Sequence, residues 1–573
     1  MNPPSPPLSQ AIDSPEGTVS LRDDAGGLWR VTPDFVASLT REILPRLAEP
    51  ELIPGASPIK SSMARRVVRI TRQGALPVIF KTYHVRSWFE RCKYALRPSR
   101  AMAEWRAARL LASLGVPTAR PLAVGERREG PILRAAYYVC EAIEDASALG
   151  PWLEERFRPG DGHLAEKLAA VHPALRSLAT LHSAGWLHAD FHGGNILLGR
   201  DSASGPAAYL VDLHSLHRFT LSAARAHRRD LTDFLFSLRY VLDASERREA
   251  ALLYRALSGE DDTPVPAFLE LLERALQARE ELHWRSRGKR CVKESSQFTC
   301  AHVAEGRLYR RRAFSVAAVR EALVRHDAEV ARGGSGLIGL SRRTAVTRVR
   351  LAPQEGGGTE GSIVVKEFSK DRRWIGRRSL RAWRGAHHLC VRELATPLAL
   401  ACLLARNGRG YLLTEDAAPA APLDIHLYRV ARLPDARHRL RRLAMALGEC
   451  VAALWQRRLV HADLSAKNIL VGGDDLDPDI LLVDTGDVRT VRRVRRRLRA
   501  RALIQLGDLP AFVDRELKRR FLARLSSKLR DRSLWALVPE IERGVERRIR
   551  RAGTSVRAMR AEAAEPPSRT ALG

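Results

Sequence analysis

The sequence predicts an α+β fold that is built twice along the chain. The first observation is a repeated loop: residues 186–198 read WLHADFHGGNILL and residues 459–471 read LVHADLSAKNILV. The second is that each loop follows the same series of alternating strands, a helix, a further strand and a long helix, and precedes an apolar strand ending in Asp. The third is the length of 573 residues, which exceeds one ordinary core. Two divergent copies of one domain explain all three observations.

The elements of the first copy follow from local patterns. Alternation predicts two strands, RRVVRI and PVIFKTY, and the second carries Lys81. The helix AMAEWRAARLLASLG comes next, and Gly115 with the nearby Pro117 ends it. A strand YYVCEAI and a long helix that ends near LATLHSAG lead to the loop. The strand AYLVDLH, with Asp212, closes the series.

The second copy repeats this order. The strand AVTRVRL, a glycine-rich turn EGGGTEG and the strand SIVVKEF with Lys366 come first. The helix LRAWRGAHHLCVREL, the strand YLLTEDA and a helix ending near VAALWQRR precede the second loop, and ILLVDTGD carries Asp484. His188 and His461 are separated by nearly the same number of residues as Asp212 and Asp484, so few insertions distinguish the copies between loop and aspartate.

These patterns predict a division of the chain. The Pro- and Ser-rich start and the tail EPPSRTALG are typical of disordered ends. We therefore expect a disordered N-terminus, a first domain, a connector, a second domain and a disordered tail, at residues 1–24, 25–280, 281–330, 331–555 and 556–573.

The charge of the chain indicates its partners. A net charge of +31 and a pI near 10.8 favour contact with a polyanion, although a basic surface can also serve solubility alone. The stretch VRRVRRRLRARAL at residues 491–503 follows the second apolar strand and predicts contact with anionic lipid headgroups, with each basic residue worth ~1 kcal/mol. No helix-turn-helix, zinc or RRM pattern is present, so nucleic acid is not expected as a partner.

Cysteine use and hydropathy favour the cytoplasm. The seven cysteines are scattered and form no C-x-x-C pair, which is typical of a reducing compartment. The first residues lack the basic start and apolar core of a signal peptide. The apolar run LATPLALACLLA is shorter than the ~20 residues that a spanning helix needs. We expect a cytoplasmic protein that meets the inner membrane only at its surface, and the oligomeric state stays open.

Phosphoryl transfer explains why these residue types occur in this order. A strand lysine neutralises phosphate charge, a loop Asp accepts the proton of the acceptor hydroxyl, and an Asn five residues later holds Mg²⁺ together with a further Asp. Both copies contain the complete set: Lys81, Asp190, Asn195 and Asp212 in the first, and Lys366, Asp463, Asn468 and Asp484 in the second. The order predicts ATP and Mg²⁺ as cofactors.

These motifs resemble the protein-kinase-like superfamily. Within it, RAWRGAHHL followed by ATPLAL, EWRAARLLASLGVPTARPL, HADFHGGNIL and HADLSAKNIL are similar to the lipopolysaccharide kinase family, whose members phosphorylate Kdo or heptose of the inner core. The resemblance implies two tandem bilobal domains, each with a β-rich N-lobe and a helical C-lobe. It also implies a sugar hydroxyl of lipopolysaccharide as the acceptor, at the cytoplasmic face of the membrane.

The resemblance also implies the roles of single residues. Asp190 and Asp463 are the expected bases or hydroxyl orienters, and His192 and Ser465 are expected to face the γ-phosphate. His188 and His461 are expected to support the loops. The residue between His and Asp is alanine in both copies, so no arginine is placed to read a phosphorylated activation loop.

Two alternatives stay open. In one, the acceptor is a soluble molecule, as in aminoglycoside and choline kinases. In the other, one or both copies are pseudokinases that act as a scaffold. Glu104 is placed to pair with Lys81, but aligning Trp105 with Trp383 puts Ala382 at the place of that glutamate in the second copy. The phosphate-covering loops also differ, with Gly336 and Gly339 in the second copy and only GASPIKSS in the first.

Overall fold

The computed structural model divides into two compact units, Met1–Glu281 and Leu282–Gly573. It describes residues 12–14, 17–61, 65–85, 88–201, 205–219, 223–259, 263–352, 361–371 and 377–564. Each unit starts with a lobe built on one antiparallel sheet and continues into a helical lobe. The predicted α+β fold with a β-rich and a helical lobe in each copy is confirmed.

The N-lobe of the first unit is an eight-stranded sheet. In spatial order its strands are Ile12–Ser14, Thr18–Arg22, Leu28–Val31, Pro121–Glu129, Ile132–Glu141, Val78–His84, Arg65–Ile70 and Ala56–Ser61. Residues 18–22 were expected to be disordered, but they pair with the next strand and bury Leu21 against Trp29 and Phe35. Alternating apolar residues there supply one face of the core, so this part of the boundary prediction was wrong. Residues 1–11 and 15–16 lie outside the described residues.

The first unit carries one long helix on its sheet and most of its other helices in the C-lobe. The helices are Trp88–Leu96, Arg100–Ser113, Leu149–Arg156, Leu164–Ser183, Ala223–Ser237, Ala244–Ser258 and Val265–Arg287, and a run of short helical turns lies within residues 33–52. Two small sheets frame the loop region: Trp186–Leu187 with His217–Arg218, and Gly205–Leu210, Ile196–Asp201 and Ser147–Ala148.

The N-lobe of the second unit is a seven-stranded sheet. Its strands are, in spatial order, Phe298–Val303, Gly306–Arg311, Ala399–Ala405, Gly410–Glu415, Gly361–Phe368, Thr344–Leu351 and Leu337–Ser341. The first two come from the segment that was expected to be a connector, and the helix Val316–Arg332 packs on the same sheet. Residues 282–330 therefore belong to the second unit, because their apolar side chains complete its core. The turn predicted at EGGGTEG lies outside the described residues, apart from its last glycine.

The helical part of the second unit repeats that of the first. The helices are Val316–Arg332, Arg378–Val391, Leu423–Val430, Ala436–Gln456, Arg496–Leu506, Arg515–Leu529 and Val538–Ala564. The small sheets are Leu459–His461 with Val488–Thr490, and Ala421–Pro422, Ile469–Asp474 and Asp477–Leu482. The last helix extends through residues 556–564, which were expected to be disordered, and residues 565–573 lie outside the described residues. Within the described ranges no helix has the length and apolar character that a membrane span requires.

The core of each C-lobe holds its loop in place. Phe191 and Leu464, which directly follow the predicted catalytic aspartates, are completely buried among the helices of their own lobes. Burying one such side chain stabilises the fold by ~1.5–3 kcal/mol. Each buried residue therefore acts as an anchor that leaves the preceding aspartate at the lobe surface.

Candidate active sites

The first loop positions Asp190 and Asn195 against each other. The Asn195 side-chain amide donates to the backbone carbonyl of Asp190 at 3.0 Å and to its carboxylate Oδ2 at 3.1 Å. Asp190 is half-exposed, with 48% of its side chain accessible, whereas Asn195 is buried. The carboxylate is thus oriented by a buried neighbour and remains open to a substrate.

Asp230, on the helix Ala223–Ser237, holds the backbone just before Asp190. Its carboxylate accepts hydrogen bonds from the backbone amides of His188 at 2.7 Å and Ala189 at 3.0 Å. Ala189 has a φ of 61°, in the left-handed region that costs a non-glycine residue about 1 kcal/mol or more. The completely buried Asp230 offsets this strain with two charge-assisted hydrogen bonds.

The second loop repeats the Asp–Asn contact with a different anchor. The Asn468 amide donates to the Asp463 carbonyl and to its carboxylate Oδ2, both at 2.9 Å. Here Gln505 bridges the loop, accepting from the Leu464 amide at 3.1 Å and donating to the Ala462 carbonyl at 2.9 Å. A neutral side chain therefore does in the second copy what a carboxylate does in the first.

The predicted Lys81–Glu104 contact is present in the first unit. Lys81 Nζ lies 2.5 Å from Glu104 Oε1, and the Tyr83 hydroxyl lies 2.5 Å from Oε2 of the same carboxylate. Burial alone would lower the pKa of Lys81, but the charge of Glu104 outweighs it and raises that pKa. The lysine is therefore a permanent cation in the cleft.

Asp212, the predicted metal ligand, contacts a cation that the sequence analysis did not identify. Arg65 Nη1 lies 2.8 Å from both carboxylate oxygens, and His214 Nδ1 lies 2.8 Å from Oδ1. Burial acts to raise the pKa of Asp212, but the hydrogen bonds from His214 and Arg65 hold it well below its usual range. Asp212 is therefore an ionised carboxylate whose negative charge is balanced by the guanidinium of Arg65.

The second unit lacks most of this network. Lys366 Nζ lies 2.8 Å from Asp484 Oδ1, and this contact lowers the pKa of Asp484 against the opposing effect of burial. Ala382 is buried at the position of the missing glutamate, and its carbonyl accepts a hydrogen bond from Thr485 Oγ1 at 2.7 Å. Phe368 stands two residues after the lysine, where the first copy has Tyr83. The glutamate and the tyrosine that binds it are thus replaced together.

A cleft between the lobes of the second unit is lined by three of its predicted site residues, Lys366, Asn468 and Asp484. It has a volume of about 350 Å³. Its walls combine apolar side chains from both lobes with the charged and polar groups of the predicted site, and they include Val346, Lys366, Ala382, Glu415, Asn468, Leu470 and Asp484. Apolar walls with a few convergent polar groups are typical of a small-molecule site.

The two aspartates that end the strands share an unusual backbone. Asp212 has a φ of 61° and Asp484 a φ of 53°, and each begins a short 3₁₀ turn. Strain of this kind persists only where the surroundings impose it, and it is concentrated at functional sites. The backbone conformation, and not the side-chain rotamer alone, therefore determines the position of each carboxylate.

The remaining predicted residues lie near these groups. His192 Nε2 is 3.7 Å from Asp190 Oδ1, while its Nδ1 accepts from the Gly194 amide at 3.1 Å. The Ser465 hydroxyl is buried and has no hydrogen-bond partner among the described residues. Of the two loop histidines, His188 is buried, with a pKa lowered by burial, and His461 Nε2 lies 2.9 Å from the Val483 carbonyl oxygen. Only His461 bonds the backbone through its ring, since within the described part of the chain neither ring nitrogen of His188 has a hydrogen-bond partner.

The glycines of the second copy do not form the tip of a phosphate-covering loop. Gly336 donates to Glu329 Oε2 at 3.1 Å before the strand Leu337–Ser341, and Gly339 lies within that strand. The hairpin turns instead at Arg342 and Arg343. Neither glycine lies at the turn that the phosphate-covering role requires, because Gly336 precedes the strand and Gly339 pairs with Val346 within it. In the first copy, residues 62–64 of the corresponding turn lie outside the described residues.

The donor sets suit a divalent cation unequally. A carboxylate and an amide side chain offer the oxygen ligands that Mg²⁺ prefers. In the second site these are Asp484 and Asn468, which both line the cleft. In the first site, Arg65 contacts both oxygens of Asp212, so a cation fits there only after the guanidinium has withdrawn.

Comparison with known proteins identifies the family. A model of the lipopolysaccharide kinase (Kdo/WaaP) family matches residues 55–255 and 362–525, which together are more than half of the chain. No curated protein matches the chain.

Solved structures similar to the chain include WaaP in complex with acyl carrier protein, at 22% identity and a TM-score of 0.32, over 45% of this chain and 98% of that one. The kinase domain of Mycobacterium tuberculosis PknI has 16% identity and a TM-score of 0.24, over 39% and 96%. A double-mutant form of that domain has 16% identity and a TM-score of 0.25, over 39% and 96%. The family match, in two segments that each contain one of the repeated loops, shows that this chain belongs to the lipopolysaccharide kinase (Kdo/WaaP) family and is a kinase with two kinase-like domains in tandem.

Proposed function

We propose that the protein transfers the γ-phosphate of ATP to a hydroxyl of Kdo or heptose in the inner core of lipopolysaccharide, at the cytoplasmic face of the membrane. Family membership supports the reaction class and the sugar acceptor. The observation that carries the proposal is the Asp–Asn contact, which recurs at 2.9–3.1 Å in both loops beside a strand lysine and a strained aspartate.

The roles follow from position and charge. Asp190 and Asp463 orient the acceptor hydroxyl and accept its proton, since each is fixed by a buried asparagine and open on its other side. Lys81 and Lys366 neutralise phosphate oxygens. His192 and Ser465 lie next to the catalytic aspartates as further contacts to the transferred group.

Mg²⁺ would be held by Asn468 and Asp484 in the second site, and by Asn195 and Asp212 in the first once Arg65 has moved. When bound, the ion supplies charge that offsets the phosphate oxygens in the transition state. Lys366 contacts Asp484 directly at 2.8 Å, so the lysine and the carboxylate already approach the same point. The adenine would occupy the apolar part of the cleft, between Val346 and Leu470.

The basic segment after the second site supports contact with the membrane surface. Arg492, Arg493, Arg495, Arg497 and Arg501 are exposed. Five such residues next to an anionic surface contribute ~1 kcal/mol each. We therefore expect binding to vesicles that contain anionic lipid, and weaker binding at high salt.

Purified lipopolysaccharide with labelled ATP tests the reaction. The full chain should label lipopolysaccharide, and mass spectrometry of the inner core should identify the phosphorylated sugar. Labelling of a soluble aminoglycoside but not of lipopolysaccharide would replace the proposed acceptor with a small molecule.

A single competent copy is the second candidate: the absence of a counterpart of Glu104 weighs against the second site, whereas the Arg65–Asp212 contact weighs against the first. Asp190→Asn and Asp463→Asn variants, made separately and together, distinguish the cases. Two active copies require that each variant retains part of the activity. Complete loss in one single variant identifies the competent copy, and full activity of the double variant contradicts catalysis by these loops.

A further inference from the structure

Three side chains that can bind a metal lie together on the second N-lobe, and none of them belongs to the predicted phosphotransfer set. His326 and Asp327 come from the helix Val316–Arg332, and Glu367 comes from the strand Gly361–Phe368. One imidazole nitrogen and one oxygen from each carboxylate all lie within 4.8 Å of one another. Two elements that are distant in sequence therefore bring a mixed nitrogen and oxygen donor set to one place.

This cluster lies on the face of the sheet that points away from the cleft. Lys366 lines the cleft, and successive side chains of a strand point to opposite faces of the sheet. Val365, on the same face as Glu367, packs in one apolar core with Ala322 of the helix. The cluster is therefore separated from the residues that we propose for phosphotransfer by the sheet itself.

The polar groups of this cluster stand in an otherwise apolar layer. His326 and its neighbour Thr347 are completely buried, and Glu367 is 7% exposed. Burial of such groups is costly unless each of them has a partner. Strand register places Val68 and Thr82 of the first copy at the positions of Thr347 and Glu367. An N-lobe of this fold thus forms without the carboxylate, which indicates that the second copy has it for binding.

His326 is oriented as a metal ligand would be. Its Nδ1 lies 2.7 Å from Thr347 Oγ1, and its Nε2 lies 3.3 Å from Glu367 Oε2. A histidine that binds a metal usually has its other ring nitrogen in a hydrogen bond that fixes the ring. Two ligand atoms bonded to one tetrahedral Zn²⁺ are about 3.4 Å apart. Nε2 and Oε2 already have this spacing.

The surrounding charges leave the metal position open. Arg409 Nε lies 3.6 Å from Glu367 Oε1, which is the carboxylate oxygen that does not face His326. Within the described part of the chain, the exposed Asp327 forms no hydrogen bond or ion pair. Its carboxylate is therefore able to turn towards the two buried ligand atoms while Arg409 stays on the far oxygen of Glu367.

We propose that His326, Asp327 and Glu367 bind one Zn²⁺ ion, through Nε2 and one oxygen of each carboxylate, with water as the fourth ligand. An imidazole with two carboxylates suits Zn²⁺, whereas Mg²⁺ prefers oxygen ligands and retains its water. The ion connects the helix Val316–Arg332 to the strand that carries Lys366. Its binding does not depend on phosphotransfer by either copy.

Equilibrium dialysis of the full chain tests the proposal. The protein is first treated with EDTA and freed of the chelator, then dialysed against Zn²⁺ that is buffered with nitrilotriacetate, and the bound zinc is counted by mass spectrometry. The unaltered chain should bind zinc, and an excess of Mg²⁺ of about 100-fold should not displace it. Displacement by Mg²⁺ would assign the zinc to the nucleotide sites and overturn the proposal.

Matched variants locate the ion. His326→Gln and Glu367→Gln should abolish zinc binding, and Asp327→Asn should weaken it about 10-fold or more. His302→Gln and Asp479→Asn remove the same types of ligand from exposed positions of the second unit and should leave binding unchanged.

Thermal unfolding provides an independent readout that does not require the buried variants to fold. Zn²⁺ should raise the thermal midpoint of the unaltered chain and of His302→Gln, because the ion binds the folded state. The exposed variant Asp327→Asn should have the midpoint of the unaltered chain without zinc and a smaller rise with it. No zinc binding by the unaltered chain, or equal binding by it and Asp327→Asn, would overturn the proposal.

Discussion

Arg65 Nη1 lies 2.8 Å from both carboxylate oxygens of Asp212, so the first site holds an internal cation at the residue that we propose as a metal ligand. Strand register gives the counterpart in the second copy. Arg65 pairs with Tyr83 and Thr344 pairs with Phe368, each two residues after the strand lysine. At the same position of the two related sites, the first copy therefore has an arginine and the second copy a threonine.

Replacing the arginine should open the first site to Mg²⁺. In an Asp484→Asn background, which disables the metal ligand of the second site, Arg65→Thr should raise the affinity for Mg²⁺ with ADP by about 10-fold or more. The reason is that the metal no longer has to displace an ion pair from Asp212. Calorimetry measures the affinity, and Thr344→Arg in an Asp212→Asn background is the reciprocal control, expected to weaken binding. Unchanged affinity after Arg65→Thr would show that the guanidinium does not compete with the metal.

Glu104 should matter for stability as well as for nucleotide binding. Glu104→Ala leaves Lys81 buried without its partner and should cost ~3–5 kcal/mol of unfolding free energy in the first unit. Glu104→Gln keeps the shape and a hydrogen bond and should cost less, while still weakening ATP binding because Lys81 loses its orienting charge. Thermal unfolding and nucleotide titration check both. Equal stability of the alanine variant and the unaltered chain would contradict this account of the pair.

Local patterns were sufficient to predict the elements that carry the chemistry. The strand predicted as PVIFKTY is Val78–His84, and the helix predicted around Trp105 is Arg100–Ser113. The order of lysine, helix, loop and aspartate also brought Lys366, Asn468 and Asp484 together in prediction, and these three line one cleft because each follows or belongs to an element with strong periodicity. Residues 298–311 were assigned to the connector and not to the sheet of the second unit, since RLYRRR carries more charge than an ordinary buried strand.

Arg65 and Asp230 show what sequence patterns could not supply. Arg65 is the first residue of a correctly predicted strand, but only the pairing register with Lys81's strand shows which face it occupies. Asp230 lies in a basic stretch, RAHRRDLTDF, that looks like a solvated helix surface, yet it is completely buried. A buried carboxylate becomes acceptable only through its contacts with the loop, which are distant in sequence.

Asp230 should therefore be more critical than Gln505, its functional counterpart. In Asp230→Asn, at least one of the two carboxylate oxygens that accept from the His188 and Ala189 amides is lost. We expect this to lower the unfolding free energy of the first unit by ~1–3 kcal/mol. Gln505→Ala removes neutral hydrogen bonds and should cost ~0.5–1.5 kcal/mol each in the second. Hydrogen exchange of the two loops measures both changes. If Gln505→Ala accelerated exchange of the second loop more than Asp230→Asn accelerated exchange of the first, Gln505 and not Asp230 would be the more critical residue.

His388 should make the stability of the second unit depend on pH. Burial, and then the charge of Arg392, lower its pKa from 6.5 to about 4. Between pH 4 and 6.5 the unfolded chain therefore binds more protons at this position than the folded chain. Stability contributed by the neutral imidazole is fully present above about pH 6.5 and decreases as the pH falls, by up to about 1.4 kcal/mol per pH unit. His388→Gln should flatten the pH dependence of the thermal midpoint in this range, whereas His438→Gln, at an exposed position, should not. Parallel pH profiles for the unaltered chain and His388→Gln would show that another buried group controls the acid sensitivity.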